Sequence, residues 1–465
     1  MSGNFGGLFI GNSGLLAQRK RLEVIGENIA NVDSPGYHRR RAELGPVDAV
    51  AIGLHSGVTR AGQGVEVEEV TRIRNELLST HAREQGGVAS ARARTHTILT
   101  EVESAYGALV DGGLQDQFTS FFNSFDDLAS APEDLAMRGV VLQRAETLAQ
   151  SVNRTVTEIG SLFQRTELDL RDDVREINDL AERIAILDQQ ILASVGTNVD
   201  RNSLLDERDQ AIDELAKLTD MLVVHTEDGQ VTLQVDGHLL VTNGRSNAVE
   251  VGVTTDAVLT PLGYARVSVN APDGRELNLT SGSAAANVTA LQAVIPNARI
   301  DFDAVTAALV TGVNTLHQGG QGLDSSTGLD VFAFGAVPGE IEVSTDVLGQ
   351  PERLAAAGGA AGLLDNSNAR DIAALSESAS GPISLYLDQA GVLAGRVLTA
   401  ATARDAADAA EEQAAAMAQA ESGVSLDEEL TQLITAQRAY DAAARLMTTI
   451  DEMLQVLISI GRVGR

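Results

Sequence analysis

The residue types able to do chemistry in this 465-residue chain are present but scattered. Its seven histidines, His38, His55, His81, His96, His225, His238 and His317, include no pair at metal-binding helical spacing and no HExxH motif. There is no cysteine, which removes disulfide, zinc-thiolate and thiol-nucleophile chemistry. Asp206, Glu207, Asp209, Asp213 and Glu214 are acidic enough to suggest a cation, but Arg208 lies among them. The pattern predicts a solvated helix face with local ion pairs. Asp324 to Asp330 lacks the oxygen-ligand pattern and closing Glu of a calcium loop. Gly358-Gly359-Ala360-Ala361-Gly362 lacks the Lys-Ser/Thr of a phosphate loop and reads as part of a flexible joint over Ala355 to Gly362. No G-x-S-x-G elbow occurs. These patterns predict no enzyme, no cofactor and no metal site.

Apolar periodicity at the two ends says more. Leu15, Gln18, Leu22, Ile25, Ile29 and Val32 alternate three and four apart. Leu426, Leu430, Leu433, Gln437, Tyr440, Ala444, Met447, Asp451, Leu454 and Ile458 repeat that spacing. Such stripes mark one side of a helix and predict a coiled-coil or bundle seam at each terminus. Gln18, Gln437 and Asp451 interrupt the seams, either to fix register or because the stripe drifts and they face water.

Composition sets outer bounds. The length suggests about three domains. Hydrophobic content of 44% supports a core, and 3% aromatic content with no Trp leaves packing to aliphatic side chains. The net charge of −31 argues against nucleic acid. No apolar run approaches a membrane span, and Arg19, Lys20 and Arg21 follow the first apolar stretch, the reverse of a secretory signal. The chain is therefore expected to stay cytosolic or to leave by a route without a cleaved signal.

The expected architecture is mainly α with inserted β. Residues 1–70 hold the first seam helix, a turn at Asn31, Pro35, Gly36 and Tyr37, and an extended segment in which Val65, Val67 and Val70 read as a strand. Residues 71–220 hold long helices, including a face of Phe118, Phe121, Phe122 and Phe125. Pro132 is placed in the first turn of a helix reaching Val195, and Asn202 or Ser203 caps the next. Residues 221–282 read as a self-contained β module, with hairpin turns at Asp228-Gly229 and Asp236-Gly237 and a late strand at Leu277 to Leu279. Residues 283–422 return to helix, broken at Pro296, with a Gly-rich β segment near 319–349. Residues 423–465 hold the second seam helix.

Asn28 to Tyr37, with Arg39 and Arg40 behind it, resembles the N-terminal signature of bacterial flagellar rod, hook and hook-associated proteins. Gly423 to Leu430, Gln437 to Tyr440 and Asp451 to Leu454 resemble the matching C-terminal signature. The helical text Leu114 to Pro132, Asn202 to Asp209 and Val313 to His317 is similar to the hook-associated protein 1 family. The resemblance covers about two-thirds of the chain and fits the β regions poorly, which suggests a reduced outer domain. It implies a structural subunit between hook and filament, extracellular, self-assembled into a ring or tube segment through its termini. It further implies contact with the hook protein and the next hook-associated protein, and an export chaperone bound near the C-terminus. Another axial subunit, of hook or distal rod, is the first alternative, and a cytosolic coiled-coil scaffold the second. An extracellular hydrolase would need a catalytic constellation in Met221 to Gly349, and none is visible.

Overall fold

The computed structural model describes residues 2–47, 64–107, 112–195, 200–226, 228–359, 362 and 364–463. Helix α1 (Ser2–Ala30) leads through a turn into a hairpin of β1 (Arg40–Pro46) and β2 (Val65–Arg72). The helical body follows, with α2 (Glu76–Tyr106), α3 (Leu114–Ser130), α4 (Leu135–Ser194) and α5 (Arg201–Leu218). Strands β3 (Leu222–His225), β4 (Val231–Val235), β5 (His238–Thr242) and β6 (Arg245–Ser246) form a four-stranded antiparallel sheet in that order. β7 (Glu250–Thr254) pairs with β8 (Arg266–Asn270). The chain returns through α6 (Gly282–Thr289) and α7 (Ile295–Gly319). Two small pairs follow: β9 (Gly320–Gln321) with β12 (Ala357–Gly358), and β10 (Phe332–Phe334) with β11 (Ile341–Val343). Helices α8 (Ser367–Ala373), α9 (Pro382–Ser422) and α10 (Leu426–Val463) complete it.

Several local expectations need correction. Pro132 precedes α4 rather than opening it; Asp134 is the cap, accepting from Ala136 N–H at 2.7 Å. The carbonyl of Pro132 instead accepts from the fully buried Arg138 guanidinium. Asp200, not Asn202 or Ser203, caps α5, which frees Asn202 to donate to the Val70 carbonyl at 2.7 Å. Pro296 does not break its helix. A π turn over Ala290–Val294 precedes it, and Ile295 N–H reaches back to Ala290 O. The wider turn accommodates a ring that cannot donate and would otherwise crowd the preceding turn. Leu277 to Leu279 forms no strand beyond a bridge between Asn270 and Glu276. Val65 and Val67 alternate as expected, but Val70 falls out of phase. Glu69 lies opposite Glu43 and Val67 opposite Leu44, so Glu68 is the extra residue of a β-bulge.

The core is continuous. Phe118, Phe121, Phe122 and Phe125 on α3 are all fully buried, and Phe121 meets Phe332 of β10 at 5.4 Å between ring centroids. Tyr106 donates to Ala298 O (2.6 Å) and Tyr386 to Tyr106 O (2.7 Å), which ties α2, α7 and α9 together. Val231, Leu233 and Val235 of β4, Val241 of β5, and Val267 and Val269 of β8 belong to the same cluster as Val174, Ile177 and Ile184 of α4. The β segment thus lies against the long helix instead of closing on itself, because its strands are too few and short to bury their own apolar face.

Leu354 to Ala357 is buried, so the Ala-rich segment there is packed structure and not the start of a linker; residues 360 and 361 of that stretch lie outside the described residues. The Ala355 N–H donates to His317 Nε2 at 2.8 Å, which requires that nitrogen to accept. Nδ1 therefore carries the proton and donates to Leu329 O at 2.7 Å. Burial holds the His317 pKa below its usual value. The unfolded chain then binds more protons in mild acid, so the stability due to neutral His317 is present above about pH 6.5 and falls as pH drops toward the folded pKa. Urea unfolding at pH 7.5, 6.5 and 5.5 should show a smaller acid-side loss for His317→Gln than for the parent. Equal slopes would contradict this assignment.

Candidate assembly interface and its polar anchor

The chain leaves α1 through a tight turn. Tyr37 N–H donates to Ser34 O at 3.2 Å, with Pro35 and Gly36 at the two central positions. Gly36 has φ +74°, the left-handed conformation a type II turn demands after proline. Asn31 steadies the turn, donating to Glu27 O at 2.9 Å and accepting from Ser34 Oγ at 3.2 Å.

This turn folds Tyr37 to Arg40 against Asn28, which is buried. Asn28 Nδ2 donates to Arg40 O (2.9 Å) and to Glu429 Oε2 (3.0 Å). Its Oδ1 accepts from Arg40 N–H and from the Tyr37 hydroxyl, both at 2.9 Å. Every hydrogen-bonding position of the amide is filled, and a carboxylate could not supply the two donors. Glu429, 1% exposed, is the matching group on α10. Its other oxygen accepts from Arg39 Nε at 2.7 Å, while Arg39 Nη1 donates to Glu428 at 2.6 Å and Arg39 N–H to Ser422 O at 2.9 Å. Burial pushes the Tyr37 hydroxyl up to about 12, so it remains a donor at neutral pH.

A second layer joins this anchor to the body. Arg40 reaches Asp200 (2.9 Å), Ser203 (3.0 Å) and Asp206 (3.4 Å). His38 meets Asp206 at 2.9 Å, and Arg72 meets Asp206 (2.7 Å) and Asp209 (3.0 Å). Arg74 also pairs with Asp209, at 2.9 Å. Burial alone would raise the Asp209 carboxyl, yet Arg74, Arg72 and Arg83 around it hold it below the usual carboxylate range. Asp209 is therefore a buried anchor and Asp206 a mostly covered one, whereas Glu207, Asp213 and Glu214 keep the solvated face expected from the sequence. Arginines occupy the space a cation would need.

The two terminal helices pack through a face that the periodicity did not select. A Cβ on Gly11 would sit 2.7 Å from Met447 Sδ, and one on Gly14 3.6 Å from Ala443 Cβ. A Cβ on Gly7 would lie 3.0 Å from Ile450 Cδ1. The close face runs Gly7, Gly11, Gly14, Gln18, Ile25 and Asn28, with Ala436 and Ile450 buried opposite. It is rotated about one residue from the apolar stripes, sharing Gln18 and Ile25 with that of α1 and Met447 with that of α10. Small residues win because they let the backbones approach.

The other seam residues flank this contact. Leu15, Leu22 and Ile29 are half-buried, as are Leu433 and Leu454, whereas Met447 sits within the contact, its Sδ against Gly11. Leu426, Leu430 and Tyr440 face outward, and Leu430 is 48% and its neighbour Ile434 51% exposed. Gln437 and Asp451 face solvent, while Gln18 is half-buried. Ile458 lies in α10, but its side chain falls outside the described residues. The residues that join the helices lie outside the predicted seams: Asn28 and Glu429, which the two end signatures contain without an assigned role, and the three glycines, which the sequence reading overlooked. Their signal was the 4–3 spacing of Gly7, Gly11 and Gly14.

Known proteins share these parts. The sequence family described as flagellar hook-associated protein FlgK helical domain matches residues 99–332, half of the chain. The chain belongs to the FlgK family of flagellar hook-associated proteins. Its ends match two further families, flagella basal body rod protein over residues 8–38 and the C-terminal family of flagellar basal body rod FlgEFG proteins over residues 418–460. Flagellar hook-associated protein 1 of Bacillus subtilis is 25% identical over an alignment of 506 positions that covers both chains in full. That of Salmonella typhimurium is 25% identical over 328 residues, 70% of this chain and 58% of the relative. A solved flagellar hook junction protein FlgK from Burkholderia pseudomallei aligns at a TM-score of 0.48 and 20% identity, covering 56% of this chain and 47% of its own.

The anchor and the glycine face make separable predictions. Gly11→Leu with Gly14→Leu should force α1 from α10 and remove hydrogen-exchange protection across 430–450. Protection across 114–191 should stay unchanged. Retained protection in α10 would show that the glycine face is not what holds it.

Proposed function

We propose that this chain is a structural subunit of the flagellar hook–filament junction and that it assembles through the apolar flank of its paired termini. The observation that carries this reading is the division of labour on α1 and α10. A glycine face and the Asn28–Glu429 anchor satisfy the pair within one chain, while Leu426, Leu430 and Ile434 remain exposed on α10 and Phe9, Ile10 and Leu16 on α1. Exposed apolar stripes on paired helices suit burial against copies of the same pair. The match of residues 99–332 favours the hook-associated family over a hook or distal rod subunit.

Several finer points belong to the same proposal. The subunit works without catalysis and lies outside the cell on the flagellum. It leaves the cytosol without a cleaved signal, escorted by a chaperone at its C-terminal helix. Its neighbours are copies of itself, the hook protein and the next hook-associated protein. Nucleic acid is not a partner, in keeping with the charge of −31. Insertion into a membrane is not part of the role, and no helix among the described residues is long and apolar enough to cross one.

A strain lacking the gene should build hooks without filaments and shed late subunits into the medium, and the intact gene should restore filaments. In that strain, Leu430→Asp with Ile434→Asp should leave the thermal unfolding of the body within a degree or two of the parent and abolish filament attachment. Each side chain forgoes about 1.5–3 kcal/mol of burial in the assembly. Normal filaments from this variant would refute the role of the flank.

A further inference from the structure

Two charge imbalances on the terminal region match one another. The first is on the β1–β2 hairpin. Glu66, Glu68 and Glu69 are exposed, and none makes an ion pair among the described residues. Glu69 lies directly opposite Glu43 in the ladder, a like-charge cross-strand pair that weakens a hairpin. Arg41 reaches Glu43 at 3.4 Å and leaves Glu69 without a counter-ion. The second imbalance is on α1, where Arg19 and Lys20 share the single carboxylate of Glu23, each at 3.4 Å. Both cations are exposed to solvent, Arg19 more than Lys20, and one positive charge is left over.

The two patches do not meet within the chain. The hairpin lies on α1 through Val65 N–H donating to Ser13 Oγ at 3.2 Å, and no hairpin glutamate comes within ion-pair distance of Arg19 or Lys20. A chain of net charge −31 repels its own copies unless its few cations are placed where carboxylates of a neighbour arrive. We propose that the acidic hairpin of one subunit docks on the Arg19–Lys20 face of the next, with Glu69 and Glu68 as the carboxylates. This inference rests on the junction reading, which puts copies side by side. The contact joins two different patches, so it repeats from subunit to subunit and sets their stagger instead of closing a two-fold dimer. As exposed ion pairs, its groups contribute more to register and partner choice than to affinity.

The absence of cysteine makes a direct test possible. A chain carrying Lys20→Cys and Glu69→Cys, treated with a short bismaleimide in purified flagella, should give a ladder of dimers and higher species. Either single variant should give none. Incorporated chain that remains monomeric, or that closes only on itself, overturns the proposal. Charge reversal supplies an independent arm. Glu68→Lys with Glu69→Lys should lower the number of filament-bearing cells roughly tenfold, and adding Arg19→Glu with Lys20→Glu should restore it. Lack of restoration also overturns the pairing. Absence of an otherwise unaltered, tagged chain from the flagellum would instead count against the junction reading itself.

Discussion

The register of the two termini depends on one buried amide. Asn28 closes the end of α1, holds the returning backbone at Arg40 and takes Glu429 from the other end of the chain, 401 residues away. Burying a carboxylate carries a large desolvation cost unless its oxygens are met by donors. Arg39 and Asn28 meet both oxygens of Glu429. The same turn that delivers Arg39 also delivers Tyr37 and Arg40, so the register of the two helices and the path of the chain are set together. A shift of α10 by one residue would leave a buried carboxylate and a buried amide unpaired.

The anchor passes its constraint to the body through α5. Arg40, Arg72, Arg74 and Arg83 converge on Asp200, Asp206, Asp209 and Asp213, which fixes the hairpin and the start of α2 relative to α5. From there α2 and α9 run side by side. Small residues set their spacing to the body: a Cβ on Gly87 would lie 2.7 Å from the Ala216 carbonyl of α5. At the far end, Tyr106 and Tyr386 hydrogen-bond α2 and α9 into the aromatic core. A body with one continuous core, an ion-paired joint and a glycine-packed pair of terminal helices are thus joined in series, with the apolar flank left over for neighbours.

Much of this was legible in the sequence, and the exceptions have physical reasons. The Phe face of α3, the long α4, the β segment after residue 221 and the two terminal helices all announce themselves by period. The Pro35–Gly36 turn does so by the φ values it requires. The contact face of α1 was missed because hydrophobic periodicity looks for large side chains, whereas this pair approaches through Gly7, Gly11 and Gly14. Glu429 was missed because a glutamate beside Asp427 and Glu428 looks like an ordinary acidic first turn. Only its distant partners distinguish it. Asp206 and Asp209 were misread for the same reason, since the arginines that pair with them come from segments more than a hundred residues earlier. The bulge at Glu68 was visible as the doubled glutamate in Val-Glu-Val-Glu-Glu-Val, where the alternation loses phase.

The central claim is that Asn28 and Glu429 act as one coupled unit holding α10 on α1. A double-mutant cycle reads it most directly. Opening free energies of α10 amides near Ala436 are measured by native-state hydrogen exchange in the parent, Asn28→Ala, Glu429→Ala and the double variant. A coupling of about 1–3 kcal/mol is expected for buried groups in direct contact. Two effects that add to within about 0.5 kcal/mol would contradict the account.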